Sequence, residues 1–254
     1  FVADALIRGR IAVLADGMPN AVIAPANLML MMRSPEDAYF PYFISSFSLI
    51  FRYLGLIVAL FLPGFYIAAI SFNVDQIPYP LLATIAESRL GLPFPGPLEA
   101  FLMVLMFEVF REAGERLPKA VGPIVAVVGG IVVGEAAIRA GLTSTTLIVI
   151  TAVTAVATFT LVNQSLVLAV SIARLAVMCM ASFLGMYGFI MGVILVLLYF
   201  STKTSFGLPY LAPLSPVSWR DLPLVFVRVP WLKKNWRPAM LRPTDDTRQK
   251  RRSR

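Results

Sequence analysis

The sequence predicts a mainly α-helical, polytopic membrane protein. It would have about four transmembrane helices, one amphipathic acidic helix that is interfacial or re-entrant, and a short N-terminal β-hairpin remnant. Three observations carry this reading. Of the 254 residues, 58% are hydrophobic and only 14% charged, against about half and a quarter in soluble domains; the mean hydropathy is +0.80. The apolar residues gather into four runs, each near the roughly 20 helical residues that a bilayer core requires. The charge is lopsided: from Lys203 to Arg254 twelve Lys and Arg oppose three Asp, a net +9, while the preceding residues carry −1. A basic tail behind apolar runs reads as a cytoplasmic flank near anionic headgroups, so membrane lipids are expected partners and nucleic acid is not.

The elements follow in order. Gly9 to Pro25, "GRIAVLADGMPNAVIAP", sets two short apolar runs around turn residues and predicts a hairpin. Ser34 can cap a helix opened by Pro35, with Glu36 and Asp37 in its first turn. This predicts a short amphipathic approach helix up to Ile50. The first span is Tyr53–Phe72, with Arg52 placed to snorkel and Pro63-Gly64 predicting a kink. "LPFPGP", Leu92 to Pro97, separates a short helix at Leu81–Arg89 from the next stretch. The second span is Val121–Ala140, the third Thr145–Val162, and the fourth Leu175–Phe200. "SFGLPYLAPLSP" then predicts irregular chain. Trp219, Trp231 and Trp236 with nearby bases suit an interfacial belt, and the final "TDDTRQKRRSR" predicts disorder. Four spans place both ends on the cytoplasmic side. The opening at Phe1, without Met or a signal-peptide pattern, predicts a piece of a longer or processed chain.

"LEAFLMVLMFEVFREAGERLPKAVG", Leu98 to Gly122, threads charges through apolar bulk. At 100° per residue Arg111, Glu115, Glu108 and Glu112 share one face, and Glu99 lies opposite. The spacing predicts the pairs Glu108–Arg111 and Glu112–Arg116. So many charges argue against a span surrounded by lipid. The expectation is a helix at the membrane boundary over Leu98–Ala113, with its Met/Phe/Leu face buried and Glu108, Glu112 and Glu115 toward water. Full crossing would make five spans and separate the ends. Three uses stay open for the acids: a solvated interfacial face, a hydrated ion entrance, or catalysis. Repeated around an oligomer, these carboxylates would concentrate cations.

Within the spans, Gly122, Ala126, Gly130 and Gly134 recur every four residues, a small-residue stripe that allows close helix approach. Glu135 and Arg139 can pair near the end of that span, and Glu135 is an ion-pathway candidate. Thr151, Thr154 and Thr158 share a face, where they either bond their own backbone or line a polar path. Gly185, Gly188 and Gly192 form another small face suited to packing. There is no histidine and one cysteine, Cys179. This removes His-based triads, disulfide frameworks and thiolate metal sites. No catalytic, cofactor or metal residue is assigned, and an enzyme is not expected.

The stretches "GRIAVLADGMP", "SPEDAYF", "PFPGPLEAFLMVLMFEVFREAGERLPKAVG", "VVGGIVVGEAAIRAGLTS" and "SFGLPYLAPLSP" resemble, in order across nearly the whole chain, the A subunit of the bacterial spore germination nutrient receptors, the GerA family. The resemblance implies three regions. Residues 1–47 would end a soluble N-terminal domain, 48–202 would form a transmembrane helical domain, and 203–254 a basic cytoplasmic tail. It implies a location in the spore inner membrane and a homo-oligomer acting as a ligand-gated cation channel. The implied partners are a transporter-like B subunit, which binds the nutrient, and a lipoprotein C subunit. An accessory germination channel subunit of the same architecture is the alternative. Glu135 departs from the family's usual Gln, and "VNQSL" at Val162–Leu166 from its usual Pro-Asn-aromatic-Ser. By residue pattern alone a secondary transporter and a non-conducting scaffold also stay open, although no internal repeat supports the former.

Overall fold

The structure is a computed structural model that describes residues 2–17, 21–116, 122–219, 221–227 and 238–241. It is mainly helical and divides into two compact units, Phe1–Tyr53 with Leu197–Arg254, and Leu54–Val196.

In the first unit, α1 (Val2–Ile7) leads into β1 (Ile11–Val13), which pairs antiparallel with β2 (Val22–Ala24), Ala12 opposite Ile23. The strands fall within the predicted hairpin. Gly17 takes φ +79°, a left-handed value that glycine adopts freely, and part of the turn, Met18 to Asn20, lies outside the described residues. Buried Asn27 ties the unit together. Its Oδ1 caps α2 (Leu28–Met31) by accepting from the Leu30 N–H at 3.1 Å, and also accepts from Arg10 Nη2 at 2.9 Å; its Nδ2 donates to the Ala212 carbonyl at 3.0 Å. Burial, helped by neighbouring Arg8, pushes the Arg10 pKa down to about 10.

The approach helix requires correction. Ser34 and Asp37 form a reciprocal capping box, but the turn they cap is a 3-10 helix, Pro35–Ala38. The next helix, α3 (Tyr42–Ser71), begins before the expected span and runs straight into it, because nothing between Ser45 and Leu54 interrupts a helix. Arg52 is not free to snorkel. It grips Asp37 with both Nη atoms, at 2.6 and 2.9 Å, and donates to the Met32 carbonyl at 3.1 Å. Farther along, β3 (Thr204–Ser205) pairs with β4 (Leu208–Pro209). Trp219 is 81% exposed, whereas Trp231, Trp236 and the "TDDTRQKRRSR" tail lie outside the described residues.

The second unit holds the rest of α3, then α4 (Tyr79–Ser88), α5 (Gly96–Glu115), α6 (Gly122–Arg139), α7 (Thr145–Phe159) and most of α8 (Gln164–Thr202). Its core joins Tyr66 and Ile67 of α3, Met103 and Val104 of α5, Ala137 of α6, Leu147 of α7, and Met178 and Ala181 of α8. Among the described residues two helices, α3 and α8, are long and apolar enough to cross a membrane; α7 is apolar but has only 15 residues. Much of the outside of the unit is apolar, with Ile57, Phe65, Val149, Val153, Val156, Leu168 and Ile172 exposed. Apolar exposure on this scale marks a surface that meets lipid or another protein.

The fourth span is not the single rod that the sequence predicted. At Gly185 the backbone leaves helical geometry, φ +63° and ψ −139°. Beyond it the chain doubles back: a Cβ built on Gly192 would lie 3.4 Å from the Val177 Cα. In a straight helix fifteen residues would separate these positions by about 22 Å. Helix α8 is therefore a hairpin of two arms, before and after Gly185, roughly 31 and 25 Å long. Gly188 and Gly192 face Met180 and Val177 of the opposite arm; a side chain at Gly188 would run into the Met180 carbonyl and hold the arms apart, whereas a Cβ at Gly192 would make an ordinary contact. Asn73 accepts from the Met186 N–H at 3.3 Å, covering a donor freed by the break. On α3, Gly64 lets Val177 approach; an added Cβ would sit 2.8 Å from its Cγ1.

Candidate functional site

Helix α5 sets the site. Pro95 and Pro97 open it, as fixed φ and a missing N–H suit a first turn. Its orientation departs only in part from the sequence expectation. Met103 and Val104 are buried, and Glu112 and Glu115 keep their exposure. Leu98, Leu102, Leu105 and Val109, at i, i+4, i+7 and i+11, are exposed rather than buried, while Glu99 and Arg111 are buried. The physical reason is the supply of partners: Glu99 finds donors in Thr143 and Ser144, and Arg111 is held between Glu108 and Glu115.

Glu99 is the first of these inward charges and only 2% exposed. Its Oε1 accepts from Thr143 Oγ1 at 3.0 Å, from the Ser144 N–H at 2.5 Å and from Ser144 Oγ at 2.8 Å. Arg89 Nε lies 3.7 Å from Oε2. Ser144 is also the N-cap of α7, its Oγ accepting from the Leu147 N–H at 3.4 Å. The carboxylate thus clamps the start of α7, where the helix dipole favours negative charge.

About two and a half turns farther along lies Glu108. Its Oε1 accepts from Arg111 Nε at 3.2 Å and Nη2 at 2.5 Å, and its Oε2 from Arg174 Nη2 at 2.7 Å. Arg111 also pairs with Glu115. Arg174, the single charged residue of α8, is only 4% exposed. It donates further to Thr158 Oγ1 at 3.3 Å and to Ser171 Oγ at 3.4 Å, and reaches the Ala59 carbonyl at 3.5 Å. Its Nε has no hydrogen-bond partner among the described residues. The two acids and two bases balance in charge.

A cavity of about 230 Å³ opens beside this cluster, bounded by residues of α5, α6, α7 and α8. Glu108, Arg111 and Arg174 line its polar end; Val104, Phe107, Ile148 and Phe159 are among its apolar walls. Thr151, Thr154 and Thr158 line it too, but each hydroxyl donates to its own helix, at 3.0 Å to Leu147, 2.7 Å to Ile150 and 2.8 Å to Thr154. The structure thus brings Glu108 together with the three threonines. The remaining acids lie elsewhere: Glu112 pairs with Arg116 at 3.0 Å and Glu135 with Arg139 at 2.6 Å, both on exposed faces, and Glu115 is partly exposed beside Arg111. Sequence reasoning missed Arg174 and the role of Glu99. The available signal was a lone arginine in a 39-residue apolar helix, since an ion with no partner on its own helix must find one on another.

The small stripe of α6 is uneven. A Cβ on Gly130 would lie 2.7 Å from Phe107 Cε1, and one on Gly129 3.1 Å from Phe110 Cδ1. At Gly134 the nearest atoms, of Ile148, are 3.6 Å away, an ordinary contact. Gly122 and Ala126 lie outside the residues whose surroundings are described. Gly130→Leu is expected to force α5 and α6 apart and lower stability by about 1–3 kcal/mol, while Gly134→Ala changes it by less than about 0.5 kcal/mol. Denaturation in mild detergent checks this; equal midpoints for Gly130→Leu and wild type would remove Gly130 from the α5–α6 contact.

Residues 1–240 match the family model described as Bacillus/Clostridium GerA spore germination protein. Spore germination protein XA of Bacillus anthracis is 43% identical over 251 residues, covering 98% of this chain and 51% of that protein. Spore germination protein KA of Bacillus subtilis (strain 168) is 37% identical over 248 residues, covering 98% and 46%. An uncharacterized membrane protein of the same organism, YfkQ, is 37% identical over 238 residues, covering 94% and 46%. The chain spans about half the length of these relatives. No solved structure matches it. With the match running through nearly every described element, α5 and its inward charges included, the chain belongs to the GerA family of spore germination proteins.

Proposed function

We propose that this chain is a membrane subunit of a spore germination nutrient receptor in the spore inner membrane. Copies of it oligomerise into a nutrient-gated cation channel that releases ions at germination. A transporter-like B subunit takes up the nutrient signal, and a lipoprotein C subunit completes the receptor. The observation that supports this best is the Glu108–Arg111–Arg174 cluster, buried inside a unit much of whose outside is apolar. Ionisable groups within membrane bundles are costly and mark conduction or its control. Glu108 acts as a latch between α5 and α8. Glu112, Glu115 and Glu135, which are less buried, line the hydrated approaches. The path runs between subunits, because the hydroxyls of α7 are already committed to their own backbone.

The regions keep their proposed roles: 1–47 ends a soluble domain, 48–202 is embedded, and 203–254 is a cytoplasmic tail. Counting the two arms of α8 as separate crossings adds one to the four spans and places the ends on opposite faces. Protease access to tagged ends in intact vesicles decides the number; protection of only one end supports the extra crossing, and equal access supports four.

The function is tested by conductance of the reconstituted complex in a planar bilayer, with and without nutrient. Absence of nutrient-dependent current would overturn the channel. A second prediction bears on the acids. Glu115→Gln is expected to lower single-channel current and cation preference at low salt, and the difference should shrink at high salt as the carboxylate is screened. Matching currents at low salt, with equal assembly, would remove Glu115 from an ion entrance. One observation favours a second reading, a secondary transporter: α8 is broken inside the unit, as helices at transporter sites are. Nutrient-dependent uptake without channel-sized current would select it. An accessory germination channel would instead conduct without nutrient.

A further inference from the structure

We infer that the basic pocket between α1, α2 and the 3-10 turn Ala239–Leu241 binds a phosphate monoester dianion, held by Arg8, Arg10 and Arg33. This goes beyond the channel reading and does not need it, since every residue lining the pocket belongs to the first unit.

Charge comes first. Three guanidiniums line the pocket against one carboxylate, Asp4, an excess of +2. Asp4 is committed to Arg8, whose Nη2 it meets at 2.5 Å. Arg10 is only 6% exposed and has no carboxylate partner among the described residues. Its partners are neutral: Nη1 donates to the Pro25 carbonyl and Nη2 to Asn27 Oδ1 at 2.9 Å. A guanidinium has five N–H donors, so these two bonds leave three. Burial and the neighbouring Arg8 both oppose the charge that Arg10 carries. A buried cation without a counterion is costly, and an anion at its side offsets that cost.

Size narrows the ligand. The pocket measures about 30 Å³. A water fills roughly 10–15 Å³ of such space, so there is room for about two or three oxygen-sized groups and not for an organic body. The oxyanion enters, and whatever carries it stays outside. A phosphate monoester presents three terminal oxygens and close to −2 at neutral pH, which matches the excess of +2. A carboxylate supplies half that charge. Guanidinium forks also suit phosphoryl oxygens, which they bind in pairs. Ala5, Met29 and Leu30 line the rest of the pocket, and apolar walls that exclude water strengthen the attraction between ions. Two sources share this chemistry: a phosphomonoester lipid headgroup, and free phosphate.

The test is thermal unfolding of the full-length protein in phosphatidylcholine nanodiscs, with inorganic phosphate or acetate added at matched ionic strength. A ligand that binds only the folded state raises the midpoint as its concentration rises. Phosphate is expected to do so and acetate is not. Two variants locate the effect. Arg8→Gln lowers the excess from +2 to +1 and should need about tenfold more phosphate for the same shift, the loss of one charged hydrogen bond. Leu241→Glu adds a carboxylate to the pocket wall. Without phosphate it should unfold at a higher midpoint than wild type, and it should no longer respond to phosphate. A second set of nanodiscs contains phosphatidic acid. A midpoint raised there in wild type but not in Leu241→Glu, with no further rise on adding phosphate, identifies the lipid headgroup as the source. An undiminished response to added phosphate identifies the free anion. The site is overturned if neither phosphate nor phosphatidic acid raises the wild-type midpoint, if acetate acts as strongly as phosphate, or if both variants respond as wild type does. Should Arg8→Gln fail to fold, the response of Leu241→Glu decides by the same criterion. Conductance enters none of these readouts, so failure of the channel and failure of this site are told apart.

Discussion

Replacing Glu108 by methionine is expected to destabilise the protein by about 3–5 kcal/mol, the cost of removing one partner from a buried ion pair. Replacing Arg174 by methionine is expected to cost less. The asymmetry follows from the partners. Without Glu108, Arg174 stays 4% exposed and charged, held only by two hydroxyls and a carbonyl at 3.3 to 3.5 Å. Without Arg174, Glu108 still has Arg111, which donates through Nε and Nη2. The double variant, with apolar groups at both places, is expected to recover much of the loss, because an apolar pair of similar volume replaces an ion pair at little net cost. Unfolding midpoints in detergent for the four proteins give the coupling directly. If the two single losses simply add, Glu108 and Arg174 do not act as a pair, and the latch between α5 and α8 fails with it.

Gly185→Ala is expected to be nearly as damaging, for a different reason. At φ +63° and ψ −139° the backbone occupies a region that residues with a Cβ almost never enter, and holding one there costs about 1–3 kcal/mol. The new Cβ would also fall 2.7 Å from Phe72 Cβ and Cγ, and overpacking of this kind costs about 1–3 kcal/mol more. Relief by straightening is blocked. A straight α8 would pull Gly188 and Gly192 away from Met180 and Val177 and open their packing on Gly64. Adding Phe72→Ala to Gly185→Ala should recover the clash but not the backbone strain, so rescue should be partial. The same unfolding measurement, with a disulfide trap between Val177→Cys and Gly192→Cys, reads both stability and the fold-back. An alanine variant as stable as wild type that still cross-links would show that Gly185 is not a required hinge.

Much of the architecture was legible residue by residue. Ser34 with Asp37 and the Pro95–Pro97 entry to α5 announced their turns by local chemistry, as side-chain caps and fixed φ act within a few residues. The helical pairs Glu112–Arg116 and Glu135–Arg139 form as their spacing predicts. The expected break between approach helix and first span did not materialise, since local signals at Ser34 say where a turn starts and not how far the next helix extends. At α8 the glycines were visible as a small face. The partner of that face is the other arm of the same helix; nothing local distinguishes a glycine that packs from a glycine that reverses the chain.

By itself the sequence determined the apolar character of the chain, the order and extents of most helices, its family, and the existence of an amphipathic α5. These rest on composition and on interactions between residues close in sequence. Only the tertiary structure decided which way α5 faces, that α8 folds back at Gly185, and that Glu108 meets Arg174 across 66 positions. Periodicity reports which residues share a side of a helix, but not what that side touches. In a soluble helix the charged side faces out. Here the neighbours supply Arg174, Thr143 and Ser144, so Glu99 and Glu108 find partners inside while Glu112 and Glu115 of the same helix stay exposed.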